Sequence, residues 1–317
     1  MKPLVSVITI FRDAERFLDE AIRSVFIQTY DQWELLLVDD GSADASTAIA
    51  LRYARTCPGK VRYFEHDRHQ TRGLGPSRNL GLFQARGDYI ASLDSDDVWL
   101  PKRLEQQVAL FVAHPEAAMV YGNRQYWESW SRGCGRDSVS EHGIASNVLY
   151  EPPGLLNLTY ATAKATNPGS DVMVRRDVAW RLGGYDEAFR GMYEDQTLLV
   201  KVYLKEAVFV ANECWLRYRQ HPDSHVAKAV TSGEALPARR LFLTWLEEYL
   251  SGHGMKGTEV WHAVGHALWP HRHPILARLL RLPKAITRRV LPGFMREWLK
   301  ARWSSRSRRT TVRSVPE

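Results

Sequence analysis

Over the first 120 residues, short apolar runs alternate with stretches of helical period, the pattern of strand–helix units that build a parallel sheet. The runs are Leu4 to Ile10, Trp33 to Val38, Val61 to Glu65, Tyr89 to Leu93 and Ala118 to Tyr121. Between the first two, Phe17, Leu18, Ala21, Ile22, Val25 and Phe26 recur every three or four residues. That spacing predicts a helix with one face on the sheet and Asp13 as its N-cap. Further helices are expected at about 43–55, 76–86 and 101–113, the last opened by Pro101, where a missing N–H is tolerated.

From 124 to 170 the periodicity fades among Gly, Ser, Pro and aromatic residues, which predicts a long irregular or β-rich excursion, uncommon without a purpose. Regular structure is expected to resume over Asp171 to Leu182, stopped by Gly183-Gly184, and again over Gln196 to Lys205, running into a short strand from Val208 to Ala211. Beyond His225 the chain reads as helical, with breaks at Gly252, Gly254, Gly257 and Pro270.

The 317 residues allow one large domain plus a smaller one, or two of equal size. With 44% hydrophobic and 25% charged residues the chain is of soluble globular type, which excludes a collagen-like, low-complexity or wholly disordered protein. Cys57, Cys134 and Cys214 are odd in number and far apart, so they build neither a disulfide framework nor a four-thiolate zinc site, and a reducing compartment fits. The first apolar run meets Arg12-Asp13 with no small-residue cleavage site and reads as a strand, not a signal peptide. No run reaches the roughly 20 apolar residues of a membrane-spanning helix, so a membrane-embedded, self-translocating synthase is not expected. The net charge of +7 is uneven: residues 275–317 hold 12 Lys and Arg against two acids, leaving −3 on residues 1–274.

Ligands of an open parallel sheet bind beyond the carboxyl ends of its strands, which singles out two acidic clusters. The second run empties into Asp39-Asp40-Gly41-Ser42 and the fourth into Asp94-Ser95-Asp96-Asp97. An Asp-x-Asp at a strand end suits Mg²⁺ or Mn²⁺, which take one or two carboxylates and complete their shells with water and phosphate oxygens. The competing reading is turn and cap chemistry, for which Asp is equally apt. Asp39 and Asp40 could accept from a base imide or a ribose hydroxyl. Between the clusters, Arg72-Gly73-Leu74-Gly75-Pro76-Ser77-Arg78-Asn79 is a glycine-containing turn able to offer backbone donors and a guanidinium, or simply a surface salt bridge. Downstream, Glu194 and Asp195 precede a helical segment, either as capping acids or as a carboxylate poised to take a proton.

In their order these elements resemble family 2 of the inverting glycosyltransferases, which have the GT-A fold. The resemblance is carried by Ile8-Thr9-Ile10 with Gln28-Thr29-Tyr30, Leu37-Val38-Asp39-Asp40-Gly41-Ser42, Ser77-Arg78-Asn79 with Gly81, Gly87-Asp88-Tyr89-Ile90 and Leu93-Asp94-Ser95-Asp96-Asp97. Gly183-Gly184-Tyr185-Asp186-Glu187 and Glu194-Asp195 fall where that family has its acceptor-side turn and base motif. The resemblance spans roughly residues 3–225 and lies in the ordered set of motifs.

It implies an α/β fold with a Rossmann-like, mostly parallel sheet flanked by helices over 1–225, followed by a helical, basic extension over 226–317. It further implies that Asp39 and Asp40 contact the uracil and ribose of a UDP-sugar, with Arg78 beside the nucleotide. Asp94 and Asp96 would bind Mn²⁺ or Mg²⁺, with His221 near the metal or diphosphate. Asp195 would be the general base, flanked on the acceptor side by Gly184, Tyr185 and Glu194. The acceptor would be a saccharide or a lipid-linked sugar of cell-surface glycan assembly. Two departures stand out: Gly75-Pro76-Ser77 replaces the more usual Ala before Arg-Asn, and no Gln-x-x-Arg-Trp element of processive synthases occurs, so a non-processive enzyme is expected.

His262 and His266, with His271 and His273 nearby, have zinc-compatible spacing but lack a catalytic Glu between them. In the tail, Leu276, Leu279, Leu280, Phe294, Trp298 and Trp303 alternate with arginines and lysines, the composition of an interfacial helix on an anionic membrane. Docking of that helix on the catalytic domain, with a disordered end from about Ser304, is the plainer alternative. A cytoplasmic protein, peripheral on the inner membrane face, is the implied setting. Nucleic acid is the weaker partner for this tail because the body is neutral to acidic. A sugar nucleotidyltransferase would use the same acids, but its basic glycine-rich loop is replaced by Phe11-Arg12-Asp13-Ala14.

Overall fold

A computed structural model describes residues 2–131 and 135–281. Cys134 and most of the basic tail lie outside the described residues. The chain divides into two compact units, Met1–Gly265 and His266–Glu317.

The first unit opens as the hydrophobic pattern requires. Strands β1 (Val5–Phe11) and β2 (Trp33–Asp39) are buried along their whole length, as parallel strands covered on both faces must be. Helix α1 (Leu18–Phe26) lies between them and buries Leu18, Ala21, Ile22 and Val25. It begins later than expected, because Asp13 is no cap: it takes a positive φ of 50° and accepts from the Ala43 N–H at 2.7 Å, fastening the β1 exit to the β2 exit. Then follow α2 (Ser46–Thr56), β3 (Val61–Glu65), α3 (Leu74–Gln84), β4 (Tyr89–Ser92), the short β5 (Val98–Trp99) and α4 (Arg103–Ala113).

The excursion expected over 124–170 carries β structure. Strand β6 (Met119–Trp127) runs six residues past the apolar stretch, β7 (Ser138–Ser140) pairs antiparallel on it, and β8 (Val148–Tyr150) pairs antiparallel on the later strand over Val208–Arg219. A short turn α5 (Gly154–Leu156) follows. The segment 171–182 is divided: Val172, Met173 and Val174 belong to β9 (Val172–Arg175), inserted antiparallel between β4 and β6, and only Arg176–Arg181 form a helix, α6. After α7 (Glu194–Lys205), strand β10 (Val208–Arg219) is three times longer than its apolar run of four residues. Exposed Asn212 and Glu213 sit where its register with β6 shifts, an irregularity that interrupts the hydrophobic pattern but not the pairing. The sheet order is β3-β2-β1-β4-β9-β6-β10-β5.

Helices α8 (His225–Ser232) and α9 (Ala235–Gly252) belong to the same unit, which runs on past residue 225 because Phe242 of α9 stacks on Tyr193 with ring centroids 4.9 Å apart. The glycines at 254 and 257 take positive φ ahead of α10 (Glu259–Arg272). Pro270 does not break that helix; it lies within the last turn, so the chain ends the helix two residues later and Pro274 opens α11 (Pro274–Arg281). In the second unit Ile275 is exposed. Among the described residues no helix is long and apolar enough to cross a membrane.

Candidate active site

Both acidic clusters leave the same edge of the sheet, with β1 between their strands, because Phe11 is level with Asp39 and Ile8 with Ser92. Two strand spacings put them about 10 Å apart. Asp39 is fully buried and accepts from the Ser42 N–H (2.8 Å), the Thr47 hydroxyl (2.5 Å) and the Tyr63 hydroxyl (3.3 Å). Asp40 accepts from the N–H groups of Arg72 and Gly73 and from the Ser77 hydroxyl at 2.8–3.0 Å. It thereby holds the glycine-containing turn against the β2 exit.

That turn does not aim its backbone donors at a ligand. The Leu74 and Gly75 N–H groups donate to the Arg190 and Phe189 carbonyls at 3.0 and 3.1 Å. A side chain at position 73 would come within 2.5 Å of Arg190, and φ there is +96°. The glycines let α3 lie flush on the loop that carries Phe189 and Arg190, and its first-turn donors are satisfied internally.

Arg78, buried on α3, joins the two halves of the site. Its Nη2 donates to Asp94 Oδ1 at 2.9 Å and its Nε to Glu194 Oε1 at 3.2 Å. Although burial opposes its charge, Asp94 and Glu194 hold the guanidinium above the usual arginine range. The next residue, Asn79, donates to the Tyr185 carbonyl and accepts from its N–H, both at 2.9 Å. Lys201 donates to the Gly184 carbonyl at 2.8 Å. The turn carrying Gly184 and Tyr185 is thus pinned between α3 and α7.

Glu194 and Asp195 form the first turn of α7, preceded by Tyr193 in the left-handed region at φ 74°. Neither caps the helix through its side chain. Asp195 is partly exposed, and its Oδ1 accepts from the Gln196 N–H at 2.7 Å. Burial, with the neighbouring Asp195 charge, pushes Glu194 up to about 8. Burial also raises Asp195, against the opposing pull of Arg78.

The turn after β4 is strapped to the end of β10. Asp97, fully buried, accepts from the Arg219 N–H at 2.9 Å and the Ser170 hydroxyl at 3.3 Å, and burial beside Asp96 and Asp94 raises its pKa well above the carboxylate range. Arg219 donates through Nε to the Asp96 carbonyl at 2.7 Å, pairs with Glu20, and lies over the rings of Phe17, Trp127 and Trp130. Replacing Arg219 by Ala is therefore expected to destabilise the fold by about 3 kcal/mol, through an emptied aromatic slot and unpaired buried acceptors, read as a shift of the urea midpoint.

This strap brings His221 to Asp96, with Nε2 3.0 Å from Oδ2. His221 Nδ1 is buried without a partner, while Asp96 is part-exposed. Among the described residues no group of three or more His, Cys, Asp or Glu is gathered for a metal. Asp96 and His221 fit a divalent ion that draws the rest of its shell from water and substrate phosphate; Asp94 is engaged by Arg78.

On the other side of Arg78, an open cleft of about 430 Å³ is lined by Asp195 and Gln196 of α7, Arg124 of β6, and Tyr160 and Asn167 from the excursion. Asn167 Nδ2 donates to the Tyr160 hydroxyl, which donates to Gln196 Oε1. Of these, Arg124, Tyr160 and Asn167 were not singled out in the sequence. Arg124 follows the fifth apolar run, so the strand-exit rule applied there would have found it.

The matched model of glycosyl transferase family 2 covers residues 6–183, more than half of the chain. The chain belongs to that family. EpsE of Bacillus subtilis, named as a glycosyltransferase, is 33% identical over 205 residues, 63% of this chain and 73% of its own. An uncharacterized glycosyltransferase of Nostoc is 36% identical over 250 residues, 78% and 74% of the two chains. WfgD of Escherichia coli, a UDP-Glc:alpha-D-GlcNAc-diphosphoundecaprenol beta-1,3-glucosyltransferase, is 34% identical over 120 residues, 38% of this chain and only 45% of that one.

Among solved structures, S. aureus TarS 1–349 with UDP superposes with a TM-score of 0.61 at 14% identity, over 89% of this chain and 76% of that one. The mannosyltransferase PcManGT of Pyrobaculum calidifontis with GDP-Man and Mn²⁺ gives 0.54 at 16% identity, over 94% and 83%. The sheet and its flanking helices thus have the expected GT-A architecture.

Proposed function

We propose that this family member is a metal-dependent, inverting, non-processive glycosyltransferase. It would move a sugar from a UDP-sugar to a hydroxyl of a saccharide or lipid-linked acceptor in cell-surface glycan assembly. The observation that carries this reading is Arg78, which links Asp94 of the acidic turn to Glu194 beside Asp195, so that a diphosphate side and a base side adjoin. WfgD, whose name states a UDP-sugar donor and a lipid-linked acceptor, supports the substrate classes.

In this reading Asp39 and Asp40 lie at the nucleoside. Asp39 accepts three hydrogen bonds and keeps capacity for a fourth, while Asp40 mainly shapes the pocket wall. Asp96 and His221 would hold Mn²⁺ or Mg²⁺, which when bound neutralises charge on the departing diphosphate. Asp195 takes the proton of the acceptor hydroxyl, whose oxygen bonds to the anomeric carbon as the bond to the diphosphate breaks on the opposite face. One such displacement inverts that centre. Arg78 pairs with Asp94 and Glu194, so that Asp195 is the carboxylate left for that proton.

Thermal stabilisation by a panel of nucleotide sugars, with and without Mn²⁺, tests the reading. UDP-sugars should raise Tm only with metal; stabilisation by GDP-sugars alone would correct the donor, and none by either would overturn the function. The basic residues of 275–317 would hold the enzyme on anionic lipid, each contributing about 1 kcal/mol near the surface. Full-length protein should then sediment with anionic vesicles and a 1–274 chain should not.

A further inference from the structure

We infer that the cleft beside Asp195 receives the acceptor and that Arg124 selects acceptors bearing an oxyanion, either a uronate carboxylate or a phosphate. This rests on Asp195 being the base. Asp94, Asp96 and His221 do not line the cleft, whereas Asp195 does, so it opens on the side of proton removal and away from the diphosphate. Its volume of about 430 Å³ is within the range of small-molecule sites.

Arg124 is built into this wall with no carboxylate within ion-pair distance among the described residues, although its charge reaches Asp195 and Asp171. Its Nη2 donates to the Tyr126 hydroxyl at 3.3 Å, its Nε is buried without a partner, and no carboxylate pairs with it among the described residues. The rings of Tyr126 and Tyr218 lie 5.4 Å from the guanidinium. Gly169, at φ +62°, leaves room for it: a Cβ there would come 2.7 Å from Nη1. Rings and glycine fix the orientation of the fork without supplying an anion. A half-buried guanidinium with an unused donor is costly unless something charged meets it, and a planar fork matches a carboxylate or phosphate.

Beside it, Asn167 Oδ1 is also buried without a partner, at the head of the Asn167–Tyr160–Gln196 chain of hydrogen bonds. That chain offers donors and acceptors to sugar hydroxyls. A site whose buried polar groups need a partner discriminates against ligands that lack it.

Ligand-observed NMR titration of methyl glucuronide, glucose 1-phosphate and neutral methyl glucoside, against protein saturated with UDP and Mn²⁺, tests this. Wild type should bind at least one charged probe about tenfold more tightly than methyl glucoside, the span of a charge-assisted hydrogen bond. Arg124→Gln should erase that difference and leave UDP affinity unchanged. The tighter charged probe tells uronate from phosphate. Equal binding of charged and neutral probes in wild type, or a preference that survives in Arg124→Gln, would overturn the assignment. If the Gln variant does not fold, Arg124→Lys decides: it should weaken the charged probes several-fold and spare methyl glucoside, and equal weakening would sink the idea. UDP affinity is read separately, so its absence in wild type would count against the nucleotide-sugar reading, while the probe titration still judges the cleft.

Discussion

Asp195→Asn is expected to keep UDP-sugar affinity within about twofold and to lower kcat by roughly 10²–10⁴. The structure makes this substitution clean. Asp195 accepts one hydrogen bond, from the Gln196 N–H at 2.7 Å, and an Asn oxygen can accept it equally. Loss of that contact with the first turn of α7 cannot account for a fall in turnover, because the Asn variant retains it. The pH dependence separates the roles further. Only the ionised carboxylate can take a proton, so kcat rises as pH rises through the Asp195 pKa. Burial raises that pKa, so the acid limb should lie above the usual aspartate value of about 3.9, and the Asn variant should lack it. Calorimetry and initial rates on protein of unchanged Tm measure both quantities. Near wild-type turnover in the variant would remove Asp195 from the mechanism and make Glu194 the next residue to test.

Asp96→Ala is expected to abolish the part of UDP affinity that depends on Mn²⁺ or Mg²⁺. Loss of groups behind metal ligands already lowers affinity by about 10- to 100-fold, so loss of the carboxylate beside His221 should cost at least as much. Affinity in the presence of a chelator should be nearly the same in both proteins. Asp94→Ala should behave differently: it removes the partner of Arg78, 2.9 Å away, and so lowers stability as well as binding. Wild-type protein that binds UDP equally with and without metal would refute the role given to Asp96 and His221.

Much of this molecule is legible in its residues. Strands buried on both faces are mostly apolar runs, which is why β1, β2 and β4 and the acids at the exits of β2 and β4 could be read directly from Val5–Phe11, Trp33–Asp39 and Tyr89–Ser92. Helix α1 was equally plain, since its buried face repeats at helical spacing.

Pattern failed where one element depends on a distant one. Val172–Arg175 becomes a strand because β4 and β6 leave a place between them, and β10 runs through polar Asn212-Glu213 because β6 pairs on both sides of the irregularity. The glycine turn could have offered its donors to a ligand, yet the Arg190 and Phe189 carbonyls, more than 100 residues away, take those of Leu74 and Gly75. Sequence alone determined the sheet's apolar strands and which residues could carry acid–base and metal chemistry, because side-chain type and local period are properties of a short segment. Tertiary structure alone decided that Arg78 joins Asp94 to Glu194, that His221 meets Asp96 across 125 residues, and that Arg124 and Asp195 line one cleft. Those contacts come from strand order and from the crossing of α3 with α7, and no local spacing encodes them.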